Sequence, residues 1–158
     1  MRLKANKTNG GSNVAGSIKG KTDIFNQQWH SLNTFYEEYA KSVGFTYSSL
    51  NILCVISKTE SCTQKILCEE TYLPKQTVNN IITSFYKQDL IYMVELPEDR
   101  RTKSIHLTPA GIELAEKILP VVSNAEECAM KQFTDEEADT LLALLKRYVD
   151  CCDKNMPR

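Results

Sequence analysis

The chain has 158 residues, of which 42% are hydrophobic and 25% are charged, a composition typical of a soluble globular protein with a substantial core. No stretch approaches the roughly 20 apolar residues that span a bilayer, and no apolar signal segment follows the first lysines, so we predict a cytoplasmic protein without membrane contact. The net charge of −1 disfavours a nucleic-acid partner only weakly, because the potential at a contact surface depends on how its charges are grouped.

Residues 1–20 contain four of the six glycines and four cations but no acids. This composition predicts a flexible basic arm or an expression remnant. It precedes a single predicted domain over residues 21–158.

A first long helix is predicted over residues 22–43. Its apolar residues recur at alternating spacings of four and three, as expected for one helical face. They are Phe25, Trp29, Leu32, Tyr36 and Tyr39. Gly44 then ends the helix, and Thr46 or Ser48 can cap the next one. Because further aromatic residues lie outside this face, we expect the helix to pair with a second copy.

Residues 62–88 predict a helix–turn–helix. A short helix includes residues 66–68, a turn follows at 71–73, and Pro74 opens a second helix. Its predicted buried face is formed by Val78, Ile81, Ile82 and Phe85. The opposite face carries amides and hydroxyls, although Glu and Lys are better helix formers. Asn and Gln can bind an adenine edge at two points, so this face favours base reading, with an idle polar face as the alternative.

Two strands are predicted at residues 90–96 and 103–107, joined by a loop over 97–102. The residues expected to alternate towards the core are Tyr92, Val94, Leu96, Ile105 and Leu107. The loop carries arginines at its tip. A helix–turn–helix followed by a β-hairpin is a winged helix, predicted here over 46–108. Its second helix enters a major groove, and its wing can reach the adjacent minor groove.

Two more helices are predicted within residues 109–155. Thr108 caps the first, and Pro120 is expected to kink or split it near Leu119. Thr134 and Glu137 form a capping box at the start of the second, which carries a leucine stripe. We predict that these helices and the helix over 22–43 are dimerisation helices. The predicted fold class is mainly α with a small β-hairpin wing.

The stretch "TQKILCEETYLPKQTVNNIITSFYKQDLI" followed by "EDRRTKSIHLTPAG" resembles the DNA-binding core of the MarR family of bacterial transcription regulators. The resemblance covers about 22–150 in element order and is sharpest over 63–111. The family's Asp-x-Arg wing signature falls on Asp99 and Arg101, which implies that Arg101 enters a minor groove and that Asp99 orients it or the wing. Two departures stand out: Tyr72 replaces a frequent turn glycine, and Asn80 replaces a frequent arginine.

The resemblance implies a sequence-specific DNA-binding regulator, with a repressor favoured and an activator as the alternative. Because the terminal helices carry surplus apolar surface, we predict that it acts as a homodimer on a palindromic operator, and no cofactor is predicted. The resemblance also implies a small phenolic or acidic effector. The predicted contacts to double-stranded DNA are Thr63, Lys75, Gln76, Thr77, Asn79, Asn80, Thr83, Asp99, Arg100, Arg101 and Lys103. The candidate effector-binding residues are Trp29, Tyr36, Tyr39 and Tyr47, with core or dimer packing as the alternative.

Two alternatives within the fold are a thiol-based redox-sensing regulator and a winged-helix protein-interaction module without DNA specificity. Six cysteines are present without a CxxC pair, and none stands at the start of the first helix, where the family's redox subtype has its sensing cysteine. No metal site is predicted from these spacings. An enzyme is not predicted, because no nucleophile–base spacing or phosphate loop is visible.

Overall fold

The computed structural model describes residues 16–96 and 99–157, with the backbone alone at 99–101. In this part the chain forms six helices and a three-stranded antiparallel sheet, which confirms the predicted fold class. The helices are α1 (Ile18–Ser42), α2 (Tyr47–Lys58), α3 (Gln64–Thr71), α4 (Lys75–Lys87), α5 (Pro109–Met130) and α6 (Asp135–Asn155). The strands are β1 (Cys62–Thr63), β2 (Ile91–Leu96) and β3 (Asp99–Leu107).

The chain divides into two compact units with the boundary after Ile52, inside α2. The single domain over 21–158 therefore stays a prediction. In the first unit, α1 begins at Ile18 because the Ser17 hydroxyl accepts a hydrogen bond from the Gly20 amide at 3.0 Å. The helix thus extends into the segment predicted as a flexible arm, whose residues 1–15 lie outside the described part.

The end of α1 and the start of α2 follow the sequence prediction. Gly44 adopts a φ of +83°, a left-handed conformation that glycine enters without steric cost. Beyond it, the Phe45 amide donates to the Ala40 carbonyl at 2.8 Å and closes the end of α1. Thr46 accepts a hydrogen bond from the Ser49 amide at 3.1 Å, which confirms Thr46 as a cap of α2.

The second unit is built on the sheet, whose strand order is β1–β3–β2. The shortest strand, β1, was not predicted, because two residues are too few to show an alternating pattern. Apolar residues from β1, the helices and the hairpin form the core of this unit. Those fully buried are Leu53, Cys62, Leu67, Val78, Phe85 and Ile91.

The prediction of which face of the hairpin is buried was wrong for β2. Ile91 and Ile105 are buried, whereas Tyr92 and Val94 are 47% and 46% exposed and Leu96 is half-buried. Directly paired residues in a sheet share a face, so the core contacts the face that carries Ile91. Since β2 is apolar on both faces, its sequence pattern does not distinguish them.

The two C-terminal helices differ from the prediction at one point. The predicted kink or split near Leu119 is not a split, because α5 continues through Pro120 to Met130, and the kink stays a prediction. The capping box of α6 is confirmed, since Thr134 accepts from the Glu137 amide and the Glu137 carboxylate accepts from the Thr134 amide. All residues of α6 are described, and none of them is buried.

Candidate nucleic-acid interface

Helices α3 and α4 form the predicted helix–turn–helix. Thr63 caps α3 by accepting a hydrogen bond from the Ile66 amide at 3.3 Å. Tyr72 ends α3 in the left-handed conformation, with φ 55° and ψ 20°. Pro74 then precedes α4 in an extended conformation, with φ −57° and ψ 141°. Thr63 thus fixes the start of α3, and Tyr72 and Pro74 form the turn that leads into α4.

Helix α4 has one buried and one polar side, as predicted. Val78, Ile82 and Phe85 are buried, and Ile81 is half-buried. Because successive residues of a helix are about 100° apart, the residues three and four positions from each other share a side. The residues on the opposite side, which we call the amide face, are Gln76, Asn79, Asn80 and Thr83, and all of them are exposed. Thr77 lies between the two sides and is half-buried.

Two hydrogen bonds order the amide face. Gln76 Nε2 donates to Asn80 Oδ1 at 3.0 Å, one helical turn further along. Thr83 Oγ1 donates to the backbone carbonyl of Asn79 at 2.8 Å. The Thr83 hydroxyl proton is thus used within the helix, which leaves its methyl group as an outward contact.

A groove of about 630 Å³ runs beside α4 and is bounded by α3 and the hairpin. We call it the lysine groove, because Lys65, Lys75 and Lys103 line it, with Glu69 as the one acid among its described lining residues. The predicted DNA contacts that the groove brings together are Thr63, Lys75, Asn79 and Lys103. Three cations in one concave surface give it a positive potential despite the chain's net charge of −1.

Gln64 and Lys65 also line the lysine groove and were missing from the predicted contacts. Both lie in the first turn of α3, directly after its cap Thr63. Polar residues in the first turn of the leading helix were the available signal, but the predicted contacts came mainly from the second helix and the wing. Lys65 also pairs with Glu69 at 3.8 Å, but both side chains are largely exposed, so the pair adds little stability.

The wing is the part of the predicted site that is only partly described. Strand β3 begins at Asp99, so the prediction of a loop over 97–102 was wrong from residue 99 onwards. Glu95 pairs with Lys103 and Leu96 pairs with Asp99, which leaves an irregularity in β3 between these pairs. Pro97 and Glu98 lie outside the described residues, as do the side chains of 99–101. The roles of Asp99, Arg100 and Arg101 stay predictions.

The candidate effector residues belong to the first unit and fall into two groups. Tyr36 and Tyr47 stack with ring centroids 5.1 Å apart and an interplanar angle of 14°. Trp29 instead stacks on Phe25 at 6.3 Å and is 48% exposed. Tyr39 is half-buried on the same helix. The Tyr36–Tyr47 pair thus joins residues of two helices into one aromatic surface.

The cysteines differ strongly in their accessibility. Cys62 is fully buried, and burial raises the pKa of its thiol from 9.0 to about 11. Its thiol therefore stays protonated at neutral pH and is a poor nucleophile. Cys54 and Cys68 are half-buried, whereas Cys128, Cys151 and Cys152 are exposed.

The two histidines are His30 of α1 and His106 of β3. His106 Nε2 lies 2.9 Å from Ser104 Oγ, and its ring stacks on Tyr92 at 5.2 Å. Within the described ranges, no cluster of three or more His, Cys, Asp or Glu residues could hold a metal ion. In the same ranges no helix is both long and apolar enough to cross a membrane.

Comparison with known proteins agrees with this architecture. Residues 43–102, from the end of α1 into β3, match the family model described as "MarR family". The transcriptional repressor YetL of Bacillus subtilis (strain 168) is 23% identical over 133 residues, which cover 83% of this chain and 79% of YetL. The structure of S. aureus MepR bound to DNA shares the fold with a TM-score of 0.69, at 21% identity over 82% of this chain and 96% of that one.

A second solved structure is Bordetella bronchiseptica BpsR, whose DNA binding is regulated by 6-hydroxynicotinic acid. It has a TM-score of 0.69 and 18% identity, and the match covers 89% of this chain and 99% of that one. The fold is that of a winged helix, and the matched family and relatives indicate a DNA-binding transcription regulator. The matched segment and the named relatives support a regulator of the MarR family, which confirms the resemblance seen in the sequence. These relatives and the family are transcription regulators and not enzymes, as the sequence predicted.

Proposed function

We propose that this chain is a repressor that binds a palindromic DNA operator as a homodimer and is released by a small aromatic effector. The observation that carries the DNA-binding part is the amide face of α4 beside the lysine groove. The apolar residues Val78, Ile82 and Phe85 hold α4 in place, so the amide face is presented on a rigid element.

The two surfaces have different tasks in this proposal. Phosphate contacts fix the position of a protein on the duplex, and base contacts specify the sequence. Lys65, Lys75 and Lys103 supply cations for phosphates. Gln76 and Asn80 supply paired donors and acceptors, which are the groups that distinguish base edges in a major groove.

The homodimer is proposed from the apolar surface that the described helices leave exposed. Leu142 and Val149 of α6 are 53% and 55% exposed, and Phe35 of α1 is 65% exposed. A second copy of the chain would cover such surface, and a two-fold dimer would carry two copies of α4 about 34 Å apart, one turn of DNA. Two such half-sites make the operator palindromic.

Repression and effector control have their own supporting observations. YetL, a repressor, aligns with most of this chain, which favours repression here. The DNA binding of BpsR is regulated by an aromatic acid. The stacked rings of Tyr36 and Tyr47 offer a planar aromatic surface of the kind that a phenolic or aromatic acid would contact.

A binding selection from a randomised DNA duplex library tests the proposal. We expect enrichment of one palindrome with half-sites about one helical turn apart. Lys103→Ala should weaken binding to that palindrome and lower the slope of log affinity against log salt by about 0.9 for each phosphate that the variant no longer neutralises. The same titration, repeated with phenolic and aromatic acids, should show release of the palindrome by at least one of them.

Lys117→Ala is the matched control, because Lys117 is an exposed lysine of α5 that does not line the lysine groove. Its salt dependence should equal that of the parent chain. Recovery of no sequence from the library, together with weak binding that does not respond to salt, would contradict the proposal. That result would favour the protein-interaction module instead.

A further inference from the structure

The side chains of Gln76 and Asn80 are joined by a hydrogen bond, whereas the side-chain amide of Asn79 is not bonded to either of them. Gln76 Nε2 donates to Asn80 Oδ1 at 3.0 Å, and both side chains are exposed. Among the described residues, the side-chain amide of Asn79 has no hydrogen-bond partner, and this residue lines the lysine groove. The amide face therefore contains one bonded pair and one separate amide.

The pair lies at the centre of the polar side of α4. At about 100° per residue, Asn80 is about 40° from Gln76, while the buried Val78 lies about 160° from Asn80. The direction from Val78 through the helix axis therefore passes close to the pair. This is the side of α4 that faces a base edge when the helix lies in a major groove.

The internal bond determines which hydrogen-bonding groups remain for a partner. A side-chain amide has two N–H donors and one oxygen acceptor. Gln76 uses one N–H on Asn80 and keeps the other N–H together with Oε1. A donor and an acceptor side by side match the N7 acceptor and the N6 amino donor of adenine, whereas guanine offers two acceptors.

The bond also restricts the motion of Gln76. A free glutamine on a helix surface has several rotatable bonds, and ordering it on binding costs conformational entropy. Asn80 Oδ1 holds the Gln76 amide by its nitrogen end, so that Oε1 is directed away from Asn80. The amide is then ordered before DNA arrives.

We propose that Gln76 and Asn80 form one coupled reading unit that selects an A·T base pair in the operator. In this unit Gln76 contacts adenine, and Asn80 is a positioning residue that fixes the orientation of the Gln76 amide. The proposal rests on the proposed DNA-binding function and assigns a division of labour within it. Asn79 acts separately, on the side of the lysine groove.

The test uses the full chain and the palindrome recovered from the randomised library. Affinity is measured for that palindrome and for each of its single A·T to G·C replacements, made symmetrically in both half-sites. Gln76→Ala should lose the discrimination at one A·T pair, by about 5- to 150-fold for each half-site. Asn80→Ala should reduce discrimination at that same pair, and the double variant should lose no more there than Gln76→Ala alone.

Two further variants separate positioning from a general loss of binding. Asn80→Asp keeps the oxygen that accepts from Gln76, so it should retain discrimination at the shared base pair although its added charge weakens overall affinity. Asn79→Ala is the matched control, and its effect should multiply with that of Gln76→Ala. The three positions changed are exposed, and thermal unfolding should confirm that each variant folds.

If Asn80→Ala keeps full discrimination at the base pair that Gln76→Ala no longer distinguishes, the coupled unit is overturned while DNA binding stands. Effects of the two variants at different base pairs, multiplying in the double variant, would overturn it equally. A parent chain that selects no palindrome from the library would overturn the proposed function itself and the reading unit with it.

Discussion

Tyr72 adopts a backbone conformation that glycine would enter more easily. Its φ is 55°, and its ring is 92% exposed at the end of α3. For a residue with a Cβ, the left-handed region costs roughly 1–2 kcal/mol. The sequence resemblance marks this position as a departure from a frequent glycine. The structure shows that the turn keeps the conformation that glycine prefers, so the departure is a local strain and not a different turn.

Replacing Tyr72 by glycine should therefore stabilise the protein. We expect Tyr72→Gly to raise the free energy of unfolding by about 1 kcal/mol, since the relief of strain exceeds the entropy that glycine adds to the unfolded chain. Urea unfolding measures the change. Tyr72→Ala is the control: it removes the same exposed ring but keeps the strain, so its stability should stay close to that of the parent. A glycine variant less stable than the alanine variant would show that the backbone is not strained.

Single residues with local hydrogen-bonding partners were well predicted from the sequence. The capping box of Thr134 and Glu137 depends on two side chains three positions apart, and the structure forms both of its bonds. The cap at Thr108 was predicted for the same reason. The bond between Gln76 and Asn80 was not predicted, because their spacing permits the contact but does not decide which polar neighbours pair.

At the scale of elements, the start of α5 is joined closely to the start of the hairpin. The Thr108 amide donates to the Leu90 carbonyl at 3.0 Å, and its hydroxyl donates to the Asp89 carbonyl at 2.6 Å. The same hydroxyl accepts from the Gly111 amide at 3.1 Å. Gly111 lies directly against the Leu90 carbonyl, so close that a Cβ would collide with its oxygen. The "LTPAG" stretch thus caps α5 through Thr108 and brings the backbone of Gly111 close to that of Leu90.

Gly111→Ala should loosen this junction. The added Cβ meets a backbone carbonyl, which cannot turn away without losing its bond to the Thr108 amide. We expect a loss of about 1–3 kcal/mol in the free energy of unfolding, the usual cost of overpacking. Gly16→Ala is the control, because a Cβ there would meet nothing within 4 Å. Equal stability of the Gly111 variant and the parent in urea unfolding would contradict this account of the junction.

A helix or strand could be predicted well where its apolar residues recur with one period and lie on one buried side. Helix α4 was placed well because its buried and polar sides are distinct. The hairpin was placed less well, because β2 is apolar on both faces and its exposed Tyr92 and Val94 resemble core residues. The irregularity between the Glu95–Lys103 and Leu96–Asp99 pairs was not predicted, because an alternating pattern does not show where the register of a strand shifts.

At the scale of the whole molecule, the exposed apolar surface of α6 indicates that this helix packs against a partner. This helix has 21 residues, and none of them is buried. It carries several exposed leucines. Leu141, Leu142 and Leu144 are 41%, 53% and 49% exposed. Long helices in globular proteins gain most of their stability from packing an apolar side. A second copy of the chain is the partner that the proposed palindromic operator also requires.

Placing charge on this side of α6 should separate the proposed dimer. We expect the double variant Leu142→Glu with Val149→Glu to sediment as a monomer at micromolar concentration, where the parent sediments as a dimer, because buried unpaired carboxylates are costly. Its affinity for the palindrome should fall far more than its affinity for a single half-site, since the two halves no longer bind as one unit.

Ala143→Glu is the matched control: it adds a carboxylate to the same helix, about 100° from Leu142 and on the side away from Val149. It should leave the dimer intact. A parent chain that sediments as a monomer would contradict the homodimer, and a double variant that stays dimeric would exclude this side of α6 as its interface.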